Sequence, residues 1–142
     1  MMLIVSVLGG CGAAKVDLPP HFGKLGDQTS FNIRGVSATG VVVAVRTEKN
    51  ELHADAGFWA EVIDSRLKAG GYIREKFAPI RLADMDGQEL RYSRELDGRS
   101  HRYWLSVLTT PKRVYLVEAG GDAEVFDSQK MEIEKAMASF RP

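Results

Sequence analysis

The only cysteine of the chain, Cys11, lies where the sequence could direct covalent chemistry to a thiol. It follows the largely apolar run 1–8 and the two small residues Gly9 and Gly10. An apolar segment that ends in small residues is typical of a leader that a peptidase removes. The pattern predicts cleavage before Cys11 and attachment of a lipid to its sulfur.

The four residues Leu8-Gly9-Gly10-Cys11 resemble the lipobox of bacterial lipoproteins, in which a large aliphatic residue stands three positions before the cysteine. The resemblance implies a signal peptide over residues 1–10 and a protein that its N-terminal lipid holds on a membrane of the bacterial envelope, facing the periplasm. Each buried CH₂ of the lipid contributes about 0.8 kcal/mol, so several acyl chains give durable anchoring. An Asp directly after the lipidated cysteine would resemble the inner-membrane retention signal of enteric bacteria. Gly12 occupies that position here, which favours the outer membrane.

An alternative interpretation makes the same residues an N-terminal strand with a buried, unreactive cysteine. Residues 1–8 contain no Lys or Arg, whereas a secretory leader begins with basic residues. Glycines on both sides of Cys11 argue against the strand, because Gly weakens strand interiors. The apolar run is also much shorter than the ~20 residues of a membrane-spanning helix.

Length and charge limit the class of protein. A chain of 142 residues predicts one domain. The 19 basic and 19 acidic residues cancel, which removes the electrostatic argument for a nucleic-acid partner. Residues 12–29 mix Gly, Pro, Lys and Asp without periodicity, and Pro19-Pro20 exclude a helix. We therefore expect a flexible tether over residues 11–29 and a folded domain over residues 30–142.

Changes in apolar periodicity predict the elements of that domain. Alternation at 31–34 and the β-branched run 41–45 predict two strands, and an apolar stripe at helical spacing predicts a helix between Asp55 and Gly70-Gly71. The stripe consists of Phe58, Trp59, Val62, Ile63 and Leu67. A second stripe, after Gly120-Gly121-Asp122, predicts a C-terminal helix and consists of Phe126, Ile133, Met137 and Phe140.

Three turn signals divide the segment between the helices. Asp86-Gly87 and Asp97-Gly98 are two-residue hairpin signals, and Pro111 favours a turn over residues 110–113. They predict an antiparallel meander of four strands, which are Tyr72 to Met85, Gln88 to Leu96, Arg99 to Thr109 and Val114 to Ala119. The predicted fold class is α+β: a mainly antiparallel sheet of about six strands with one helix on each face.

Three segments of this pattern resemble PsbP-like domains, which are α-β-α sandwiches found in photosystem assembly proteins and in envelope lipoproteins such as the DcrB-like group. The segments are residues 103–110, residues 113–119 and the helix that closes on residues 137–140. The resemblance covers about residues 30–142, and its matched residues are structural. It implies a binding or assembly module and brings no active site with it.

Few residues suggest chemistry within the domain. The histidines at 21, 53 and 101 lack metal-ligand spacing and the chain has no second cysteine, so we expect no metal, no cofactor and no catalytic site. Arg91 and Arg102 give one strand pair a basic character. Trp104 stands where the core should be, and it could anchor a partner only if it were exposed. Acidic residues interleaved with the arginines favour a surface whose charges neutralise each other.

The leading functional hypothesis is a lipid-anchored, non-catalytic module that binds another envelope protein. The alternative is a lipoprotein that holds a small apolar ligand between the sheet and the first helix. Large side chains that could line such a pocket are Phe58, Trp59, Phe77 and Tyr103. An enzyme is the third and least favoured hypothesis.

Overall fold

A computed structural model describes residues 13–26 and 30–142. Within these residues, seven strands form one antiparallel sheet. The strands are β1 (Gly23–Lys24), β2 (Ile33–Val36), β3 (Val42–Lys49), β4 (Ile73–Leu82), β5 (Met85–Leu96), β6 (Arg99–Thr109) and β7 (Arg113–Asp122). The helices are α1 (Ala56–Ala69), α2 (Ala123–Ser128) and α3 (Lys130–Ala138). The order across the sheet is β1-β2-β3-β7-β6-β5-β4.

Helices cover both faces of the sheet, and each covers only part of its face. On one face, here called the α1 face, α1 packs against β4, β5 and β6. On the opposite face, the α3 face, α2 packs on β6 and β7 and α3 packs on β3 and β7. The predicted α+β class is confirmed, with seven strands rather than about six and with the C-terminal helix divided into α2 and α3.

The core has one layer on each face. The α1-face layer contains Ala56, Ala60, Leu90, Tyr92, Leu105, Val107, Val114 and Leu116. The α3-face layer includes Val41, Val43, Val45, Trp104, Leu108, Val117, Phe126, Ile133 and Phe140. Strand residues alternate between the two layers because successive side chains of a strand point to opposite faces.

The first helix has the predicted ends. Its N-cap Asp55 accepts a hydrogen bond of 2.8 Å from the backbone N–H of Phe58, and Gly70 caps its C-terminus. The C-terminal helix begins where Asp122 accepts a bond from the N–H of Glu124 at 3.2 Å. Gly120 and Gly121 do not end the strand as expected, because both continue the pairing of β7 with β6.

One of the two predicted hairpins is confirmed and the other is displaced. Asp97 and Gly98 have φ values of 51° and 77°, as a tight turn with two left-handed residues requires. The β4–β5 turn lies at Ala83 and Asp84, with φ of 49° and 60°, whereas Asp86-Gly87 lies inside β5. Gly87 serves packing instead of a turn, because a Cβ there would lie 2.5 Å from the backbone oxygen of Val107.

The N-terminal segment differs from the predicted tether over residues 13–26. Ala14 and Val16 are buried, with exposed fractions of 5% and 3%, and Leu18 packs so closely on β2 that a Cβ at Gly35 would lie 2.7 Å from its side chain. Lys15 exchanges two backbone hydrogen bonds with Arg141, at 2.9 and 2.8 Å. The apolar residues alternate with polar ones, as in a half-buried strand, and they cover sheet that the helices leave open.

We expect Gly87→Ala to lower the free energy of unfolding by about 1–3 kcal/mol, because its Cβ would force β5 away from β6. Gly23→Ala is the matched control, since a Cβ there would make only an ordinary contact at 3.8 Å. Urea denaturation of both variants and the parent chain measures the difference. Equal losses for the two substitutions would contradict a special role for Gly87.

Candidate functional site

Trp104, which the sequence places where the core should be and which would be a binding anchor only if exposed, lies in the core. Its exposed fraction is 6%, and its ring packs edge-on against Phe126 with 4.8 Å between the centroids. The guanidinium of Arg91 lies 3.8 Å above the ring and covers it. The alternative in which Trp104 is an exposed anchor therefore does not apply.

The two arginines predicted beside Trp104 are held in ion pairs. Arg91 donates from Nε to Glu89 at 2.7 Å. Arg102 makes two bonds to Asp127 on α2, at 3.2 and 3.1 Å, and a third to Glu75 at 3.3 Å. The bonds from Asp127 raise the pKa of Arg102 above its ordinary value. These charges neutralise each other, which is the arrangement that the interleaved acidic residues favour.

The cavity next to these residues is small. Its volume is about 140 Å³. Ligand sites usually have volumes of ~300–1,000 Å³. The surface formed by Trp104, Arg91 and Arg102 therefore acts as a charged cover of the α3-face core.

A larger concavity lies on the α1 face, over the part of the sheet that α1 does not cover. Its volume is about 330 Å³. This groove is lined by Phe31, Arg34, Gly40, Val42, Ala44, Tyr103, Glu118, Ala119, Gly120 and Gly121. Four strands, β2, β3, β7 and β6, contribute to it, since their order in the sheet makes them neighbours.

The charge at the centre of the groove is a paired carboxylate. Glu118, whose side chain is 12% exposed, lies 3.1 Å from Nε of Arg46 on the neighbouring strand. The hydroxyl of Tyr103 also donates to it. Burial raises the pKa of Tyr103, and the charge and hydrogen bond of Glu118 raise it further, so the phenol keeps its proton. Glu118 thus stays an acceptor with two donors.

Phe31 forms an aromatic wall of the groove between two guanidinium groups. Arg34 lies 5.3 Å and Arg46 5.6 Å from the centroid of its ring. Arg46 is committed to Glu118, whereas Arg34 brings a second positive charge to the lining. The groove therefore combines an aromatic ring, a guanidinium and an apolar floor at Val42 and Ala44. It suits a group that pairs an anionic or hydrogen-bonding end with a small apolar part.

Phe31, Arg34 and Glu118 were not predicted as site residues from the sequence. Phe31 and Arg34 come from the first predicted strand, and Glu118 comes from the last, so only the strand order brings them together. One signal was available: Glu118 is the single charged residue in the otherwise apolar run 114–119. A charge in such a run requires a partner when it is buried.

A second buried carboxylate, Asp64, anchors α1 to the sheet. It is 3% exposed and accepts a hydrogen bond of 2.7 Å from the hydroxyl of Tyr92 on β5. Lys68 and Arg74 lie 2.9 and 3.3 Å from its carboxylate. Burial alone would raise the pKa of Asp64, but the bonds and charges of these partners outweigh it and lower the pKa. The ionised form is therefore the one that the fold stabilises.

The space between α1 and the sheet, where the sequence suggested an apolar ligand, contains packed side chains. Trp59 and Phe77 lie against the α1-face core, and Phe58 points outward with an exposed fraction of 45%. Of the four suggested lining residues, Tyr103 alone lines the groove, which lies beside α1 rather than beneath it.

The remaining predicted features are placed as follows. Within residues 13–26 and 30–142, no three His, Asp or Glu side chains are grouped so that they could hold a metal ion. Across the same residues, every helix is too short or too polar to cross a bilayer. The lipobox residues Leu8, Gly9, Gly10 and Cys11 lie outside the described residues, so the predicted acylation stays a prediction.

Comparison with solved structures identifies the fold. LpqN of Mycobacterium tuberculosis, which is involved in cell envelope biogenesis, matches 95% of this chain and 88% of its own with a TM-score of 0.73 and 12% identity. CyanoP, the PsbP protein of Synechocystis sp. PCC 6803, matches 92% of this chain and 86% of its own with a TM-score of 0.61 and 10% identity. The fold is PsbP-like. Neither a protein-family model nor a curated protein sequence matches the chain.

A third structural neighbour is PA94 of Pseudomonas aeruginosa, a protein of unknown function. It matches 86% of this chain and 97% of its own with a TM-score of 0.53 and 12% identity. Likeness at these identities establishes the PsbP-like fold alone, because one fold hosts many functions. The function must therefore be argued from the groove and the N-terminal sequence of this chain.

We expect Asp64→Asn to lower the free energy of unfolding at neutral pH by about 1–3 kcal/mol, because Lys68 and Arg74 lose their counter-charge. The folded pKa of Asp64 lies below its ordinary value of 3.8, so its contribution is complete above that value and is lost as the pH falls through the folded pKa. The difference in the free energy of unfolding between variant and parent should therefore become smaller below about pH 4. Urea titrations at neutral and acidic pH measure it.

Asp86→Asn is the control for this prediction, because Asp86 pairs with Arg81 on an exposed surface. An exposed ion pair contributes about 0–1 kcal/mol. The anchoring role of Asp64 would be contradicted if Asp64→Asn lowered the free energy of unfolding no more than Asp86→Asn does. A decrease that is independent of pH would contradict it too.

Proposed function

We propose that this chain is an envelope lipoprotein that acts without catalysis. Acylated Cys11 holds it on a membrane facing the periplasm, with the outer membrane favoured. The folded domain acts as a binding module, and the groove on the α1 face binds another envelope protein. The preferred partner segment carries an acidic side chain for Arg34 and a small apolar side chain for the floor of the groove.

The observation that carries the proposal is the groove of the α1 face, an open concavity of about 330 Å³ with Arg34 beside an apolar floor. The likeness of fold to LpqN, an envelope-biogenesis protein, over 95% of this chain supports the envelope as the compartment. The lipobox supports the same compartment independently, because it is a feature of the N-terminal sequence rather than of the fold. Charge pairing in the groove supports binding over proton transfer. Glu118 is engaged by Arg46 and Tyr103, and Tyr103 keeps its proton.

A small ligand is the second candidate occupant of the groove. The volume of about 330 Å³ falls within the ~300–1,000 Å³ of known ligand sites. The same chemistry applies to it, since Val42 and Ala44 offer apolar contact and Arg34 offers charge-assisted hydrogen bonds. A protein partner and a small ligand can be distinguished by what remains bound after purification.

Acylation is tested by growing expressing bacteria with radiolabelled palmitate. We expect label in the parent protein and none in Cys11→Ala, because the thiol is the acceptor. Leu8→Asp should also abolish labelling although it keeps the thiol, whereas the matched control Leu8→Val keeps the aliphatic residue of the lipobox and the label. Equal, background labelling of the parent and Cys11→Ala would refute the anchor.

The groove is tested by placing a photo-crosslinking phenylalanine analogue at Phe31 in cells. We expect one discrete protein adduct, which Arg34→Glu reduces by about tenfold through repulsion of the acidic side chain. The control position is Met131, which is 84% exposed on α3, away from the groove. Equal adducts from both positions would contradict a protein site in the groove.

The small ligand has a separate readout. Native mass spectrometry of the purified parent protein should show an added mass that Arg34→Glu loses. An added mass without an adduct would favour the ligand. If neither appears, the groove is not the binding site.

A further inference from the structure

We propose that one end of the sheet lies flat against the bilayer and contacts anionic phospholipid headgroups. This end, here called the basal surface, is where β3 ends and β7 begins, and it consists of Lys49, Leu52, Phe58, Lys112 and Arg113. The inference rests on the proposed acylation of Cys11 and goes beyond it, because a lipid anchor alone does not orient a domain.

The N-terminal segment enters the fold at this end of the sheet. Lys15 pairs with Arg141, and the ring of the adjacent Phe140 lies 5.6 Å from that of Tyr115. Tyr115 is the third residue of β7 and pairs with Thr47, close to the end of β3. The backbone N–H of Asp17 donates to the hydroxyl of Ser139 at 2.7 Å. From Asp17 back toward the N-terminus, the segment therefore reaches residue 13 beside the basal surface.

The distance from the lipid to the packed domain is short. Ala14, 5% exposed, is three residues after Cys11. Even a fully extended chain spans at most ~3.3–3.6 Å per residue, which gives about 11 Å between Cys11 and Ala14. An acyl chain on Cys11 would thus bring the end of the sheet close to the headgroups, without a long tether to let the domain rotate freely.

Two large apolar side chains project at the basal surface. Leu52, in the loop between β3 and α1, is 65% exposed, and Phe58, in the first turn of α1, is 45% exposed. Single exposed apolar residues are ordinary on a protein surface. Here two occur together at the end where the chain would leave for the membrane, and such residues bury well at the boundary of headgroups and acyl chains.

The loop that carries Leu52 is held rigidly. Asn50, only 1% exposed, donates to the carbonyl oxygens of Ala54 and Thr110 at 2.8 and 2.9 Å and accepts from the indole N–H of Trp59 at 2.9 Å. His53 adopts a left-handed φ of 51°, and its Nδ1 lies 2.7 Å from the carbonyl oxygen of Pro111. A buried amide and an unusual backbone conformation thus fix Leu52 in an exposed position.

The charge around Leu52 complements an anionic membrane. A concavity of about 380 Å³ is lined by Lys49, Lys112 and Arg113, with Glu51 as the acidic residue in its lining. All three basic side chains are exposed.

Acidic residues lie at this end of the sheet too. Glu48 is exposed beside Lys49, and Asp55 is engaged as the cap of α1. Asp84 and Asp86 lie at the β4–β5 turn, where Asp86 pairs with Arg81, so the basic character is confined to the part around Leu52. Basic residues next to apolar ones are the composition that binds anionic bilayer surfaces.

The test places a fluorophore at one of two positions on the acylated full-length protein. Leu52→Cys labels the basal surface, and Ile73→Cys labels the opposite end of the sheet at a matched exposure of 64% against 65%. The acylated sulfur of Cys11 does not react with the label. Each protein is bound to vesicles of phosphatidylethanolamine and phosphatidylglycerol, and an environment-sensitive dye reports contact with lipid.

We expect the emission of the dye at position 52 to shift to the blue and to be quenched by spin-labelled lipid. The emission of the dye at position 73 should show neither effect. Equal signals at the two positions, on protein that floats with the vesicles, would overturn the basal surface and leave the anchor intact. Protein that carries no acyl chain and does not float would overturn the anchor and the basal surface with it. Flotation and dye emission therefore separate the two failures.

The role of charge is tested by comparing vesicles with and without anionic lipid. Vesicles of phosphatidylcholine alone should give a smaller shift at position 52, and Lys112→Glu with Arg113→Glu should remove the difference between the two lipid compositions. Arg113→Glu alone should reduce the difference, whereas Arg99→Glu, the matched single charge reversal at the opposite end of the sheet, should leave it unchanged. The same shift with both lipid compositions would overturn the contact with anionic headgroups.

Discussion

The width of the sheet is the constraint on which the rest of this structure depends. Seven strands at a spacing of about 4.8 Å make a sheet nearly 30 Å wide, whereas a helix with its side chains is only ~10–12 Å across. The helices lie over opposite halves, so each face keeps a strip that no helix covers. The groove lies on the strip of the α1 face, and the ion pairs over Trp104 lie beside the strip of the α3 face.

The two uncovered strips differ in what lies over them. On the α3 face, the segment 13–18 packs beside α3, and the ion pairs of Arg91 close over Trp104. On the α1 face, the strip over β2, β3 and β7 keeps small residues and a paired Glu118, which leaves a groove. A half-buried carboxylate is costly unless it is paired, so Arg46 and Tyr103 stabilise Glu118 and give the groove its polarity.

The sequence predicted the features that depend on local periodicity and capping. The ends of α1, the Asp97-Gly98 hairpin and the α+β class all follow from short-range patterns. Features set by distant contacts were missed. The segment 13–18 is too short to show a clear period, and Gly87 is required by the neighbouring strand rather than by a turn. The groove needed the strand order, which no local pattern contains.

The groove and the basal surface lie toward opposite ends of the same strands. Val42 begins β3 in the groove and pairs with Gly120, whereas Lys49 ends β3 at the basal surface and pairs with Arg113. Seven residues separate Val42 from Lys49, which is about 23 Å along a strand. With the basal surface on a bilayer, the groove would stand that far above the headgroups and face away from them. Under the proposed acylation, a short anchor would serve binding because it would fix the direction in which the groove faces, whereas a long flexible tether would leave that direction undefined.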